Sequence, residues 1–369
     1  MFDRRLATNF NWPLLLTAVG LAAMGLVNLY SATSSFDASS QVNFFRAQLL
    51  WTGIGFAGLL ILVSIHYRHF EPMGYVLYGL SVFLLILVLT PLGKQVAGHQ
   101  SWLVLGGLTL QPSELAKLGL IFGLSRNLFR MDLRRNAELT DLIPSLFIFM
   151  IPAALVVAQG DLGSSFFFAL IYLSMILIHG VRFKLIAVMG MLGAALLLAG
   201  YLFFLTPYQK ARVATFLHPE MDPKGAGYHL VQSKIAVGSG GLTGKGYLKG
   251  ETHKLKFIPE RHTDFIFPVL AEEWGFLGGS LVLGGFLIFL LSGLWVASKA
   301  ADRFAFFLAA GVCSLFFWHL VINLGGVLGL MPLTGVPLPF FSYGGSALLT
   351  NWLGLALLLN VSMRRFMFT

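Results

Sequence analysis

The chain has 369 residues, 57% of them hydrophobic and only 11% charged, with a mean hydropathy of +0.79. A soluble globular protein carries roughly 25% charged residues, so this composition excludes that class. A net charge of +9 would suit nucleic acid in a soluble chain, but here Lys and Arg flank apolar runs, and orientation in a membrane accounts for them without nucleic acid.

Continuous runs long enough to cross about 30 Å of hydrocarbon recur along the chain. A transmembrane β-barrel would alternate instead. The prediction is an all-α polytopic integral membrane protein with spans at 12–32, 46–64, 73–91, 112–129, 142–158, 164–181, 185–206, 266–297, 304–328 and 346–363. Arg4 and Arg5 precede the first run, which reaches Tyr30 with no small-residue cleavage site after it, so it reads as a span and not a signal peptide. Arg68, Arg126, Arg130, Arg134, Arg135, Arg182, Lys184, Lys299, Arg303, Arg364 and Arg365 fall on the same side as Arg4 and Arg5. The short loops opposite carry little beyond Arg46 and Lys94. Positive charge marks the cytoplasmic side, so both termini are assigned there. The whole chain, 1–369, reads as one transmembrane domain with a large extracytoplasmic loop, 207–265, between spans seven and eight. Cys313 is the lone cysteine, which excludes an internal disulfide and a cysteine metal cage.

Taken in chain order, the outer side holds most of the informative residues. Gln111-Pro112-Ser113-Glu114 opens the fourth span, and Lys117 follows on the face of Glu114. Gln159-Gly160-Asp161-Leu162-Gly163-Ser164 is a tight turn between spans five and six. Within the large loop, Leu230, Val231, Lys234 and Val237 have helical spacing and predict a short amphipathic helix on the outer leaflet. Gly238, Gly240, Gly241, Gly244 and Gly246 then predict a flexible cover beside Asp264. Ile258 to Pro268 gathers Glu260, Arg261, His262 and Asp264 where the chain re-enters an apolar run, with Glu272, Glu273 and Trp274 just beyond. Trp274 and Trp295 are separated by roughly 31 Å of helix and would mark the two interfaces, which leaves Asp264 at headgroup level. Pro332, Pro337 and Pro339, followed by Phe340-Phe341-Ser342-Tyr343-Gly344-Gly345-Ser346, cannot be regular helix, and such backbone must be buried in protein or line a wet cavity.

These strings resemble the SEDS family (shape, elongation, division and sporulation), the RodA/FtsW membrane proteins of bacterial cell-wall synthesis. The likeness covers essentially the whole chain: Gln111 to Lys117, Gly160 to Gly163, Glu260 to Phe267 and Phe341 to Ser346, in this order on ten spans. The compact ends favour RodA over FtsW. The resemblance implies a peptidoglycan glycosyltransferase that polymerises lipid II on the outer face of the membrane, with a class B penicillin-binding protein as partner. It also implies that Asp264 is the essential aspartate, Glu114 and Lys117 the fourth-span pair, and Asp161 a second important acid.

Such a transfer needs a base for a sugar 4-hydroxyl, worth typically about 10²–10⁴-fold, and positive charge near the departing undecaprenyl pyrophosphate. Asp264 is the candidate base; read without the family, it is equally an N-cap. Lys117 would meet the pyrophosphate with Glu114 setting its charge state, against a purely structural pair; charge inside a span is costly and functional by default. Asp161 either caps span six or holds a divalent cation or orients a basic neighbour. Arg46 either snorkels or contacts phosphate. Arg212, Lys245 and Arg261 are weaker phosphate candidates, otherwise solvated. Glu272 and Glu273 would be satisfied by water. Ser342 and Tyr343 would shape the cavity wall. His262 lacks a second ligand at zinc spacing, so no metal site is assigned, although a loosely held Mg²⁺ or Mn²⁺ bridging phosphate stays open. The competing reading is a flippase for the same lipid, but the charges gather at the outer ends of the spans, not at the midplane a transporter uses.

Overall fold

The computed structural model describes residues 8–34, 36, 38–96, 99–106, 108–131, 139–180, 226–251 and 262–365, with isolated positions 187, 190, 191, 193, 216 and 218. The helices within them are α1 (Trp12–Ala32), α2 (Ala38–Ser64), α3 (Phe70–Val88), α4 (Pro112–Arg130), α5 (Ile143–Ala158), α6 (Leu162–His179), α7 (Ala226–Ser239), α8 (Ile266–Ser298), α9 (Arg303–Val327) and α10 (Gly345–Met363). All but α7 match predicted spans. Apart from the isolated positions 187, 190, 191 and 193, the predicted span 185–206 lies outside the described residues.

The helical bundle also carries one small sheet. Strands β1 (Gly93–Val96), β2 (His99–Leu105) and β3 (Leu108–Leu110) form an antiparallel sheet in that order between α3 and α4. Ser101 and Leu103 are buried while Val104 is exposed, the two-residue alternation of a half-covered strand. That alternation covers too few residues to compete with the long apolar runs on either side.

Helix starts follow local chemistry. Asn11 caps α1, its Oδ1 accepting from Leu14 N at 3.1 Å, with Pro13 in the first turn. Asp302 caps α9 by accepting from Ala305 N at 2.8 Å. Large apolar side chains on α8 (Phe276, Leu277, Leu281 and Leu287) and on α3 (Val76, Leu80 and Phe83) face outward, as a surface bathed in lipid requires. Trp274 and Trp295 are also exposed, 41% and 44%, as interfacial tryptophans should be. The core is α4, α9 and α10. Although α4 carries Glu114, Lys117, Arg126 and Arg130, most of it is buried against α3 and α9.

Polar side chains tie the bundle together at both ends. At one end Asn360 of α10 donates to the carbonyls of Leu62 and Ile65 and accepts from Tyr67 N, while Arg364 donates to Val63 O at 2.8 Å. Each of these caps the break between α2 and α3. The opposite end gathers the start of α4, α6, α8 and α10, the features predicted to lie outside the cell.

Within α8, Gly275 has φ 65 and ψ −162, a conformation essentially reserved to glycine. The helix breaks there because the segment 240–246 takes over its hydrogen bonds. Phe276 N and Leu277 N donate to Gly241 O and Leu242 O, while Lys245 N and Gly246 N donate to Glu272 O and Glu273 O. The glycines therefore allow backbone to lie on backbone, and the predicted flexible cover is instead a docked strip. The face of α7 also differs from prediction. Leu230, Ser233 and Ala236 are buried, whereas Val231 and Lys234 are exposed. Ser233 Oγ donates to Val327 O at 2.7 Å, which turns the helix toward α9.

Candidate functional site

The site is assembled from α4 upward. Pro112 at the first position and Glu114 in the first turn suit a helix start. One turn on, Lys117 Nζ lies 2.7 Å from Glu114 Oε1. It also lies 3.0 Å from Nε2 of His319 on α9, and 4.8 Å from the centroid of the Phe167 ring on α6. Lys117 is 1% exposed, so three helices enclose one ammonium. Against an ammonium, Nε2 can only accept, which puts the imidazole proton on Nδ1. Burial of an unpaired charge is expensive, and the carboxylate and imidazole offset it here.

Among the described residues, Ser113 Oγ and Glu114 Oε2 on α4 and His319 Nδ1 and Asn323 Oδ1 on α9 are buried polar atoms with no hydrogen-bond partner. An unmet buried polar atom costs about 1–3 kcal/mol unless water or another molecule supplies its partner.

Asp264 is partly exposed, one residue outside the cap position of α8, which falls on Phe265. Its backbone carbonyl accepts from Asn323 Nδ2 at 3.0 Å, and the second hydrogen of that amide goes to Val336 O at 2.7 Å. Gly335, at φ +72, lies against the carboxylate: a Cβ there would stand 3.3 Å from Asp264 Oδ2. The proline-rich segment thus forms one wall beside Asp264.

Ser342 and Tyr343 build that wall. Ser342 Oγ accepts from Leu338 N at 2.9 Å, and its carbonyl accepts from Gln48 Nε2 at 3.0 Å. Tyr343 N donates to His262 O at 3.0 Å, and its ring meets Phe44 edge-on with centroids 5.1 Å apart. Burial pushes the Tyr343 phenol above its ordinary range, so it stays a hydrogen-bond donor at neutral pH. Ser346 Oγ accepts from Gln111 N at 2.8 Å, joining this segment to the start of α4.

Asp161 caps α6, accepting from Ser164 N at 2.9 Å and Ser164 Oγ at 2.7 Å. Arg46 sits inside α2 because that helix starts at Ala38, eight residues earlier than predicted; its side chain is exposed. Arg212 and Arg261 lie outside the described residues. Glu272 and Glu273 are each 1% exposed and are not satisfied by water. Glu272 pairs with Lys245 at 2.8 Å and accepts from Glu251 N at 2.9 Å, while Ser31 Oγ donates to Glu273. Lys245 is therefore committed to Glu272, not held ready for phosphate. Among the described residues no group of three or more His, Cys, Asp or Glu is arranged to hold a metal ion.

His319 and Asn323 are the site residues that sequence reasoning missed. Both are polar residues in one largely apolar span, and the one available signal is the cost of putting them there.

Fold and site together define a polytopic helical membrane protein whose candidate site residues lie toward one end of the bundle. The chain belongs to the FtsW/RodA/SpoVE family, described as "Cell cycle protein", whose profile matches residues 12–366. It is a multi-pass inner-membrane protein. It is 38% identical over 340 residues to the peptidoglycan glycosyltransferase MrdB of Escherichia coli K12, covering 92% of this chain and 91% of that one. Its fold is similar to a chain in a structure titled "Structural coordination of polymerization and crosslinking by a peptidoglycan synthase complex", with a TM-score of 0.81, 31% identity and coverage of 97% and 98%. It also resembles the crystal structure of the rod shape determining protein RodA of Thermus thermophilus, with a TM-score of 0.72, 30% identity and the same coverage.

Proposed function

We propose that this chain is a peptidoglycan glycosyltransferase of the elongation type that polymerises lipid II at the outer face of the membrane. The 4-hydroxyl of an acceptor sugar attacks the anomeric carbon of a lipid-linked donor. Its proton passes to the Asp264 carboxylate as the carbon–oxygen bond to undecaprenyl pyrophosphate breaks with inversion. The leaving group is already good, so a single base is sufficient equipment. A second carboxylate, as in glycoside hydrolysis, is not needed.

The observation that supports this reading is a partly exposed aspartate and a buried cation, both tied to α9, in a bundle of this family. Lys117 is enclosed in the resting protein, so a phosphate oxygen would reach it through the hydrogen left over from Glu114 and His319. The geometry of Asp161 favours its role as a cap. The described residues do not form a resident cation site, so no step is routed through Mg²⁺ or Mn²⁺; an ion would arrive with the pyrophosphate, and polymer yield in EDTA against added Mg²⁺ tests that. A class B penicillin-binding protein is the proposed partner.

Purified protein, lipid II in detergent and a gel for glycan polymer test the reading. A flippase has nothing to do without leaflets, whereas a polymerase still makes chains. The wild type should give polymer, and Asp264→Asn, still folded, should give none. Normal polymer from the variant would remove Asp264 as the base.

A further inference from the structure

His319 and Asn323 are four residues apart on α9, so they share a face about 6 Å apart along the axis. Each contacts a group that the proposed reaction uses or the backbone that carries it. His319 Nε2 receives the Lys117 ammonium at 3.0 Å. Asn323 donates to the Asp264 carbonyl at 3.0 Å and to Val336 O at 2.7 Å. Both side chains are almost fully buried, 2% and 4% exposed, on a helix whose surroundings are core.

We propose that His319 and Asn323 are the two positioning residues of the transfer reaction. One sets the direction of the Lys117 ammonium and the other sets the turn that carries Asp264. The inference rests on the glycosyltransferase reading and deepens it.

The chemistry of an ammonium explains the first contact. Its three hydrogens point to the corners of a tetrahedron. Glu114 alone would leave the group free to spin about one bond. With His319 as a second acceptor, two hydrogens are fixed, and the third has a single direction left. An acceptor at His319 is thus a requirement of geometry, whereas an apolar group of the same size would only fill space.

The second contact uses both hydrogens of one amide. They join the carbonyl of Asp264 to the wall that contains Gly335, whose Cα side lies against the same carboxylate. Backbone held in this way leaves the carboxylate little room to drift. Misplacing a reacting group by about 1 Å costs on the order of 10²-fold in rate. Because both tethers leave one rigid helix, the distance from cation to base is kept by α9 and not by the loops that present them.

The test compares variants in the lipid II polymerisation assay, with rates normalised to folded protein by thermal melting. His319→Gln keeps an acceptor and should stay within about threefold of the wild type. His319→Met keeps volume but offers only the weak acceptor of a thioether, and should lose about tenfold or more. Asn323→Asp is nearly isosteric but sets a carboxylate against two carbonyls. Its rate should fall about tenfold, chiefly in kcat, and its ratio to wild type should rise as pH is lowered, because the protonated acid regains a donor. Equal rates for His319→Gln and His319→Met would overturn the role of His319. A ratio for Asn323→Asp that stays flat with pH would overturn that of Asn323. If the wild type itself makes no polymer, the glycosyltransferase reading fails and this inference falls with it. Should Asn323→Asp not fold, the His319 pair still decides.

Discussion

The side-chain amide of Gln111 donates to the Asp161 carboxylate at 3.2 Å, joining the N-terminal ends of α4 and α6. Ser164 supplies two further donors to the same carboxylate. Asp161→Asn keeps an oxygen for the Ser164 amide and should retain polymerisation within about threefold. Asp161→Ala removes the cap and should destabilise the protein by about 0.5–2 kcal/mol, seen as a lower melting temperature. Loss of activity in the asparagine variant at unchanged stability would instead give Asp161 a chemical role.

Gly335 controls the space beside the base. At φ +72 an alanine carries about 1–2 kcal/mol of left-handed strain, and its methyl would stand 3.3 Å from Asp264 Oδ2. Gly335→Ala should lower kcat by roughly 10–100-fold while leaving much of the folded population intact. An unchanged kcat would show that the carboxylate works from elsewhere.

The break in α8 gives a stability test. A Cβ at Gly275 would meet the Gly244 amide, and its dihedral angles are ones L residues avoid. Gly275→Ala should lose at least about 1–3 kcal/mol from backbone strain alone and show reduced yield and melting temperature. A normal melting temperature would mean that the docked strip is absent in solution.

Lys245 gives a pH test. Its hydrogen bond to Glu272 raises the lysine above its ordinary range, with the neighbouring charge of Glu272 adding to the effect. A raised pKa contributes stability that is complete below the unfolded value, roughly 10.4, and is lost as pH climbs through the folded one. Lys245→Met, which leaves Glu272 buried without its cation, should melt below the wild type from neutral pH to about 9. The gap should narrow only above about 10.5. A gap that closes between pH 5 and 8 would point to a different group.

Much of this architecture is legible from local sequence. Apolar runs gave the spans, and the strings from Gln111, Gly160, His262 and Phe341 marked the segments that meet at one end. What escaped was partnership. His319 belongs to Lys117 across 202 residues of chain, and nothing near it in sequence signals that. Asn323 looks like any polar residue in a span until its amide is seen dividing itself between Asp264 and Val336. The glycines after Ser239 read as freedom because a missing side chain serves equally for looseness and for close contact. Only the facing carbonyls of Glu272 and Glu273 distinguish the two. Lys245 and Glu272 likewise look like two separate surface groups in the sequence, yet they are one ion pair, with Glu272 buried and Lys245 partly exposed.

The strip laid across the break in α8 makes mechanical neighbours of parts that seem unrelated. Four mutual hydrogen bonds fasten residues 241–246 to residues 272–277, and the turn bearing Asp264 lies just ahead on the same rod. The amides of Lys245, Gly246, Phe276 and Leu277 should surrender their hydrogens to deuterium at a common rate, as a single latch opening.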